Sequence, residues 1–124
     1  MLRDLTENER AFIVEVARKL APNESTQLLT DLAIAQARST LPDESIIRFH
    51  LGGYCGPTRG GQELYPFEGT MHDRDGANLD VLLFKDSANR LYEMEFVRWE
   101  GGDLQGPDWP TLRIVAKPLP FQKP

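Results

Sequence analysis

The spacing of apolar residues along this chain changes once, near Pro42, and this change constrains the fold more than any other feature. Before it, apolar residues recur every three or four positions, as they do on one face of an α-helix. After it, they alternate with polar residues, which is typical of a strand with one buried side. Helices followed by a run of strands indicate an α+β domain. We therefore expect two N-terminal helices packed on one face of a four- to five-stranded, mainly antiparallel sheet, built chiefly as a meander.

The two helices are marked by their ends and by their apolar stripes. Thr6 and Glu9 have the spacing of a capping box, in which each side chain bonds the backbone amide of the other residue. Pro22 ends the first helix, and Asn23 is the expected cap of a second helix that ends before Pro42. The expected stripes are Phe12, Ile13, Val16, Ala17 and Leu20 in the first helix and Leu28, Leu29, Leu32, Ala33 and Ala35 in the second.

Alternation predicts the strands that follow. Residues 46–51 form a strand with one buried side, and a glycine-rich loop, residues 52–61, comes directly after it. A further strand over residues 64–71 contains Pro66, which has no amide donor and therefore indicates a sheet edge or a bulge. A short strand is also expected over residues 112–115.

The best-marked hairpin joins residues 79–84 to residues 91–97. Asn89 tolerates the left-handed conformation that the end of its short turn requires. The register expected from this turn places Phe84 opposite Tyr92. One face of the second strand then carries Leu91, Glu93, Glu95 and Val97, with Trp99 beyond them, whereas Tyr92, Met94 and Phe96 point to the core beneath the helices.

Composition and charge exclude several classes of protein. The chain has 124 residues and a net charge of −5, and residues 63–124 contain 11 acidic and 7 basic residues. No lysine- or arginine-rich run is present to neutralise phosphates, so we expect no nucleic-acid partner. No apolar stretch approaches the ~20 residues that span a membrane. We expect one α+β domain over residues 1–116 and an extended proline-rich tail over residues 117–124.

The cellular compartment is inferred from cysteine usage and from the N-terminus. Cys55 is the only cysteine, so no internal disulfide is available. The first residues are charged early and contain no apolar signal segment. Both observations indicate a cytoplasmic protein.

Glu93 and Glu95 are the centre of the candidate site. Two positions apart on a strand, they project from the same face about 7 Å from each other, together with Leu91, Val97 and Trp99. We interpret this surface as an acidic, partly apolar sheet face that binds a basic protein partner. An immunity-type protein that covers the cationic site of a toxin is one version. A solvated face without a partner and a catalytic carboxylate pair are the alternatives, and the expected function is non-enzymatic, with no cofactor.

The glycine-rich loop offers a different class of function. Tyr54, Cys55 and Arg59 lie in it, and the Cys55 thiol would become a nucleophile if the fold brought His50 or His72 to it. The chain would then be a small-ligand-binding or enzymatic domain. A third alternative is a self-associating protein that forms a homodimer through the open sheet face or an edge strand.

Asp73, Asp75 and Asp80, with Gly76 after the second aspartate, have the composition of a calcium-binding loop. The spacing of such a loop is not met, because Gly76 directly follows the second aspartate and no glutamate stands at the closing position. Asp73, Asp75 and Gly76 are therefore interpreted as a hairpin turn, and no metal site is expected.

Four segments of the chain carry a family resemblance: the start at residues 3–9, the glycine-rich region 52–61, the acidic turn 73–76 and the strand 90–96. In these segments the chain resembles a family of small bacterial proteins classed as a domain of unknown function, over roughly residues 3–104. The resemblance implies an N-terminal helical region, a β-meander with an acidic turn and a bacterial setting. It implies no particular activity.

Overall fold

The computed structural model describes residues 1–57 and 60–116. In chain order its elements are β1 (Arg3–Asp4), α1 (Glu7–Lys19), α2 (Pro22–Ile34), β2 (Ala35–Ser39), β3 (Ile46–Leu51), β4 (Gln62–Leu64), β5 (Phe67–Asp73), β6 (Asn78–Asp86), β7 (Leu91–Arg98) and β8 (Pro107–Ala116). The α+β class with two helices and an antiparallel sheet is confirmed. The expected strand number is wrong, because the sheet has eight strands rather than four to five.

Helix α1 begins as its capping box predicts. The amide of Glu9 donates to Thr6 Oγ1 at 3.1 Å, and the amide of Thr6 donates to Glu9 Oε1 at 2.8 Å. Arg3 completes this helix start, since its Nη1 and Nη2 atoms each lie 2.9 Å from a carboxylate oxygen of Glu9. The fork-shaped pairing joins the edge strand β1 to the first turn of the helix.

Helix α2 differs from its prediction at both ends. Its N-cap is Ala21 with Pro22 in the first turn, rather than Asn23. It ends at Ile34, and the chain passes directly into β2, which pairs with β3. The residues of β2 include good helix formers, but hydrogen bonding to β3 and burial of alternate side chains outweigh this weak preference.

The sheet order is β1-β2-β3-β7-β6-β5-β8, with β4 beside β6, and every pair is antiparallel. Strands β5, β6 and β7 form the expected meander. Strands β4 and β5 both pair with β6 and are separated by Tyr65 and Pro66, so the proline divides one predicted strand into two. Together with β1 and β2, this division accounts for the larger strand number.

Both predicted hairpin turns have the backbone conformation that their sequences require. Asn89 has a φ of 64° and Gly76 has a φ of 91°, and both values lie in the left-handed region. In the β6–β7 turn, the amide of Asp86 donates to the carbonyl of Arg90 at 2.8 Å.

The register of β6 and β7 shifts by one residue beyond this turn. Lys85 is opposite Leu91, but the next pair is Phe84 with Glu93, so Tyr92 is the extra residue of a β-bulge. The bulge interrupts the alternation of side chains on β7. The prediction that Leu91 shares a face with Glu93 is therefore wrong, since Leu91 is 2% exposed and lies in the core. Tyr92, expected in the core, lies on the opposite face.

Both helices cover the same face of the sheet. Helix α1 packs against β5 and β8, and helix α2 packs against β7. Gly69 on β5 leaves room for this packing, because a Cβ atom there would lie 2.6 Å from Leu112 Cδ1 of β8 and 3.1 Å from Phe12 Cε1 of α1, and these side chains would have to shift. The side chains buried between the layers include Phe12, Ile13, Leu28, Ile47, Leu79, Leu83, Leu91 and Met94. Within the described residues no helix lies on the other side of the sheet, which is called the open face below.

Strand β8 completes both the sheet and the core. It pairs with β5, and it places Trp109 with its ring centroid 5.8 Å from that of Phe96 and 6.5 Å from that of Phe12. Trp109 therefore closes the end of the core beneath helix α1. The tail predicted over residues 117–124 lies outside the described residues.

Candidate functional site

The open face carries most of the residues that the sequence predicts as a site, but in a different arrangement. Pair register and strand alternation place its side chains in rows that cross the sheet. The rows are Arg113, Thr70, Asp80 and Val97; then Leu82, Glu95 and Ile46; then Phe84, Glu93 and Arg48. Charged, hydroxyl and apolar groups thus alternate over a surface that the helices do not cover.

Glu93 is occupied by an ion pair within the sheet. Arg48 on the neighbouring strand β3 donates to Glu93 Oε1 from Nε at 3.1 Å and from Nη2 at 2.9 Å. The guanidinium carbon of Arg48 also lies 4.5 Å from the centre of the Tyr92 ring. The side chain of Glu93 is 7% exposed and that of Arg48 is 38% exposed. Glu93 therefore faces the open side but is covered and neutralised by Arg48.

Glu95 lacks such a neighbour. It lies in register between Ile46 of β3 and Leu82 of β6, and no cation of the described residues pairs with its carboxylate. Partial burial, followed by the charge of Glu93, raises the pKa of Glu95 above its ordinary value. A partly buried carboxyl group whose pKa is raised in this way is a candidate functional group.

Val97 and Trp99 form an exposed apolar pair beyond Glu95. Val97 is 37% exposed and Trp99 is 68% exposed. Trp99 extends the β6–β7 pairing by one residue, since its amide donates to the carbonyl of Asn78 at 3.0 Å. Exposed tryptophan is the residue type most enriched at the centre of protein interfaces. Three predicted partner-binding residues thus lie on the open face, namely Glu95, Val97 and Trp99, whereas Leu91 lies in the core. Within residues 1–57 and 60–116, no ion pair occupies Glu95.

Trp99 also forms one wall of a groove that the sequence did not indicate. The groove has a volume of about 720 Å³, which lies within the range of ligand sites in proteins. Strands β5 and β6 form its floor, and β8 forms the wall opposite Trp99. Its polar lining consists of Thr70, His72, Asn78, Asp80, Thr111 and Arg113. We refer to it as the open-face groove.

The wall formed by β8 depends on an irregularity in that strand. Between Arg113 and Asp108, which are the partners of Thr70 and His72, β8 bulges away from β5. Thr111 holds the bulge in place, because its hydroxyl donates to the Asp108 carbonyl at 2.6 Å and accepts from the His72 amide at 2.9 Å. Bulges are over-represented next to functional sites. The proline inside β8 was the sequence signal for it.

Asp80 is the anion on the floor of the open-face groove. It lies opposite Thr70 on β5 and Val97 on β7. Among the described residues, no cation forms an ion pair with Asp80. Arg113 is on the same row two strands away, so its Cα atom lies about 10 Å from that of Asp80. The groove therefore has a negative end beside Trp99 and a positive end beside β8.

The glycine-rich loop is anchored by Tyr54. Its hydroxyl donates to Asp86 Oδ2 at 2.7 Å, and the guanidinium carbon of Arg90 lies 4.3 Å from the centre of its ring. Burial, followed by the hydrogen bond to Asp86, raises the pKa of Tyr54 to about 12. Tyr54 is therefore engaged with the β6–β7 turn. Cys55 is exposed and unpaired, and Arg59 lies outside the described residues.

The fold separates the two histidines that an enzymatic use of this loop would combine with Cys55. His50 is on β3 and His72 is on β5, and strands β7 and β6 lie between them. Three strand spacings correspond to about 14 Å, well beyond the ~3 Å reach of a hydrogen bond. Cys55 does not line the open-face groove, to which His72 belongs. A thiol flanked by both imidazoles is therefore not formed.

The acidic turn is held by internal hydrogen bonds. Arg98 donates to Asp73 Oδ2 at 2.8 Å and to Asp75 Oδ2 at 2.7 Å, and the amides of Gln105 and Gly106 donate to Asp73 at 2.9 and 2.7 Å. In the part of the chain that the structure describes, no group of three or more histidine, cysteine or acidic side chains is arranged to hold a metal ion. Asp73 and Asp75 thus join the β5–β6 turn to the segment before β8.

A buried carboxylate that the sequence analysis did not single out lies under helix α2. Asp31 is fully buried, and its Oδ1 accepts from Arg90 Nε at 2.9 Å and from Gln27 Nε2 at 3.0 Å. Its Oδ2 accepts from the amide of Leu91 at 3.0 Å. A charged residue inside an apolar helical stripe was the available signal. Since every partner belongs to the chain itself, Asp31 fastens α2 to the start of β7.

These features define a class of protein: an α+β domain with two helices on one face of an eight-stranded antiparallel sheet and a groove on the other face. Among the described residues, no helix is both long and apolar enough to cross a membrane. Residues 2–107 match the family described as a domain of unknown function, DUF6984. The chain belongs to this family, which confirms the resemblance to a domain of unknown function. No curated protein and no solved structure matches the chain.

The matched region ends at Pro107, the first residue of β8. The strand that forms the second wall of the open-face groove therefore lies almost wholly outside the matched region. The floor of the groove and Trp99 lie inside it.

Proposed function

We propose that this chain is a non-enzymatic protein-binding module whose open face binds a basic protein partner. The observation that carries this proposal is an exposed apolar pair, Val97 and Trp99, flanked by two carboxylates, Asp80 and Glu95, with which no described cation pairs. Interfaces combine an aromatic anchor, which supplies most of the binding free energy, with complementary charges that select the partner. All four groups lie on one uncovered sheet surface.

The charge distribution of the chain supports a basic partner. The chain has a net charge of −5, and its second half, which supplies the open face, contains 11 acidic and 7 basic residues. Such an excess accelerates encounter with a positively charged surface and makes the association rate fall as salt is added. An anionic partner would be repelled over the same distances.

An immunity-type protein, which covers the cationic site of a toxin, is the version of this function that an acidic, partly apolar sheet face suits. We place the chain in the cytoplasm, because its single cysteine, Cys55, is exposed and unpaired and a free thiol is stable in a reducing compartment. The glycine-rich loop is not part of the proposal, since Tyr54 is engaged and the two histidines are far apart.

The proposal is tested by two charge reversals and two truncations to alanine, with one of each kind on either side of the sheet. Glu95→Lys and Trp99→Ala are each expected to reduce, by about 10-fold or more, the amount of one and the same protein recovered from an extract of the native host at low salt. Glu63→Lys and Leu29→Ala are the controls, because Glu63 and Leu29 are exposed on the helix side of the sheet. Equal recovery with all four variants would contradict the proposal.

Self-association is distinguished in the same samples by light scattering. A dimer at micromolar concentration that dissociates in Trp99→Ala would make a second copy of the chain the occupant of the open face, in place of a basic partner. A monomer in both the wild type and the variant keeps the open face available to a different protein.

A further inference from the structure

We propose that the open-face groove receives one arginine side chain of the partner, with the guanidinium plane against the indole of Trp99 and its N–H groups donating to Asp80. This inference rests on the proposed function and names the chemistry that the partner presents. It assigns the groove to a single side chain and assigns the surrounding apolar and acidic surface to the rest of the interface.

The geometry of the groove provides what a buried cation needs. Trp99 is 68% exposed and lines the groove together with Asp80. An indole face attracts a cation within about 6 Å of its centroid, and Trp is the strongest of the aromatic residues in this respect. Thr70 and Asn78, whose side chains carry a hydroxyl and an amide oxygen, line the same space. They supply additional acceptors for the several N–H donors of a guanidinium group.

Arginine suits this site better than lysine does. Its guanidinium is planar and weakly hydrated, so it stacks on an aromatic ring and pairs with a carboxylate at the same time. A lysine ammonium is compact and strongly hydrated, so it would lose more hydration on entering the groove. The pairing with Asp80 is charge-assisted on both sides and therefore stronger than a neutral hydrogen bond.

Arg113 restricts how the side chain enters. It lies about 10 Å from Asp80 on the same row, with Thr70 between them. The incoming guanidinium is therefore drawn to the end of the groove beside Trp99 and repelled from the end beside β8. For the same reason a second cation on the β8 side is disfavoured, and the groove selects one arginine rather than a polybasic segment.

The experiment uses the full chain labelled with ¹⁵N and the probe N-acetyl-L-arginine methylamide. The chain has two tryptophans, so its spectrum has two indole N–H signals, and Trp109, packed on Phe96 and Phe12, serves as the internal control. We expect the Trp99 indole signal to shift in a saturable way while the Trp109 signal stays in place. The citrulline counterpart has the same shape without the charge, and its affinity is expected to be at least about 10-fold lower than that of the arginine probe. The affinity of the lysine counterpart is expected to be at least about 3-fold lower.

Two variants complete the test. Asp80→Asn keeps the shape of the side chain and is expected to weaken arginine binding about 10-fold, whereas Glu63→Gln on the helix side is expected to leave it unchanged. Thermal unfolding of both variants verifies that the fold is intact. The inference is overturned if the Trp99 signal does not respond, if citrulline binds as well as arginine, or if Asp80→Asn binds as the wild type does.

Failure of this inference is distinguishable from failure of the proposed function. If Trp99→Ala and Glu95→Lys abolish recovery of the protein partner while the arginine probe has no effect on Trp99, the open face binds its partner without an arginine in the groove. If recovery of the partner is unchanged in both variants, the proposed function itself is contradicted.

Discussion

At the scale of single residues, Glu93 and Glu95 show how one neighbouring residue gives two similar side chains different environments. Both face the open side from the same strand. Arg48 neutralises Glu93 through two hydrogen bonds at 3.1 and 2.9 Å. Glu95 lies next to apolar residues, and none of the cations that the structure describes pairs with it. The first carboxylate is therefore part of the sheet, and the second remains available to an outside partner at a cost in stability.

This cost gives a prediction for Glu95→Gln. Because the pKa of Glu95 is raised in the folded chain, its ionised form destabilises the fold at every pH above that raised pKa. The neutral variant is expected to raise Tm at pH 7 by roughly 1–2 °C, since partial exposure limits the gain to well under ~1 kcal/mol. The difference is expected to vanish near pH 3, where the carboxyl is protonated in both folded and unfolded states. Scanning calorimetry at both pH values measures it, with Glu63→Gln as the control; a lower Tm for Glu95→Gln at pH 7 would refute the assignment.

Asp31 gives a second prediction at this scale. In the wild type, Oδ1 of Asp31 accepts from Gln27 and Arg90, and Oδ2 accepts from the amide of Leu91. Asp31→Asn replaces one of these oxygens with an NH₂ group, so that a donor faces a donor on one side of the amide, and it removes the charge that pairs with Arg90. We expect a loss of about 2–4 kcal/mol in the free energy of unfolding, because a buried charge pair loses one partner. Urea denaturation measures this loss, and Glu24→Gln is the control. A loss below ~0.5 kcal/mol for Asp31→Asn would show that its network carries no stability.

At the scale of elements, the sequence predicts those whose signals are local. The capping box of Thr6 and Glu9 is sufficient to locate the start of α1, and the turn ending at Asn89 is sufficient to locate the β6–β7 hairpin. The bulge at Tyr92 was not predictable in this way, because it depends on how β7 meets two neighbouring strands at once. Strand β2 was missed for the same reason, since its pairing with β3 overrides its local preference for helix.

The residues of the candidate site also divide into those that a local signal predicts and those that depend on contacts between strands. Glu95, Val97 and Trp99 were predictable because alternation on one strand places them on one face. The open-face groove was not, because Thr111 of β8 reaches it only through the register and the bulge of that strand. From the sequence, Asp80 is considered only as a third aspartate near the acidic turn. It becomes part of a site only when Trp99 lies beside it.

The acidic turn between β5 and β6 gives a prediction about pH. The hydrogen bond from Arg98, supported by the amide of Ala77, lowers the pKa of Asp75 from 3.8 to about 2. Burial acts to raise the pKa of Asp73, but hydrogen bonds from the amides of Gln105 and Gly106 and from Arg98 outweigh it and lower that pKa as well. A lowered pKa stabilises the fold above the unfolded value near 3.8, and this contribution is lost as pH falls toward 2.

We therefore expect the free energy of unfolding to decrease between about pH 4 and pH 2, and Asp75→Asn to reduce this decrease. Urea midpoints at pH 5, 3 and 2 measure it, with the exposed Asp103→Asn as the control. The same slope in Asp75→Asn and in the wild type would show that the turn does not contribute to acid sensitivity.

At the scale of the whole molecule, the two sides of the sheet have different tasks. The helix side carries the apolar core and the buried contacts of Asp31, which hold the fold together. The open face carries a row of charged and apolar side chains that ends at Trp99, and the proposed function places binding there. Because the two sides share only the strand backbones, substitutions on the open face are expected to change affinity with little effect on the fold.

The most direct measurement of this claim is the affinity of the purified partner for two double variants of the full chain. Glu95→Lys with Trp99→Ala alters the open face, and Glu63→Lys with Leu29→Ala makes the same charge reversal and truncates an exposed apolar side chain on the helix side. The account predicts that the first double variant weakens binding about 100-fold or more and the second less than about 3-fold. Equal losses in both, or a larger loss from the helix side, would contradict it.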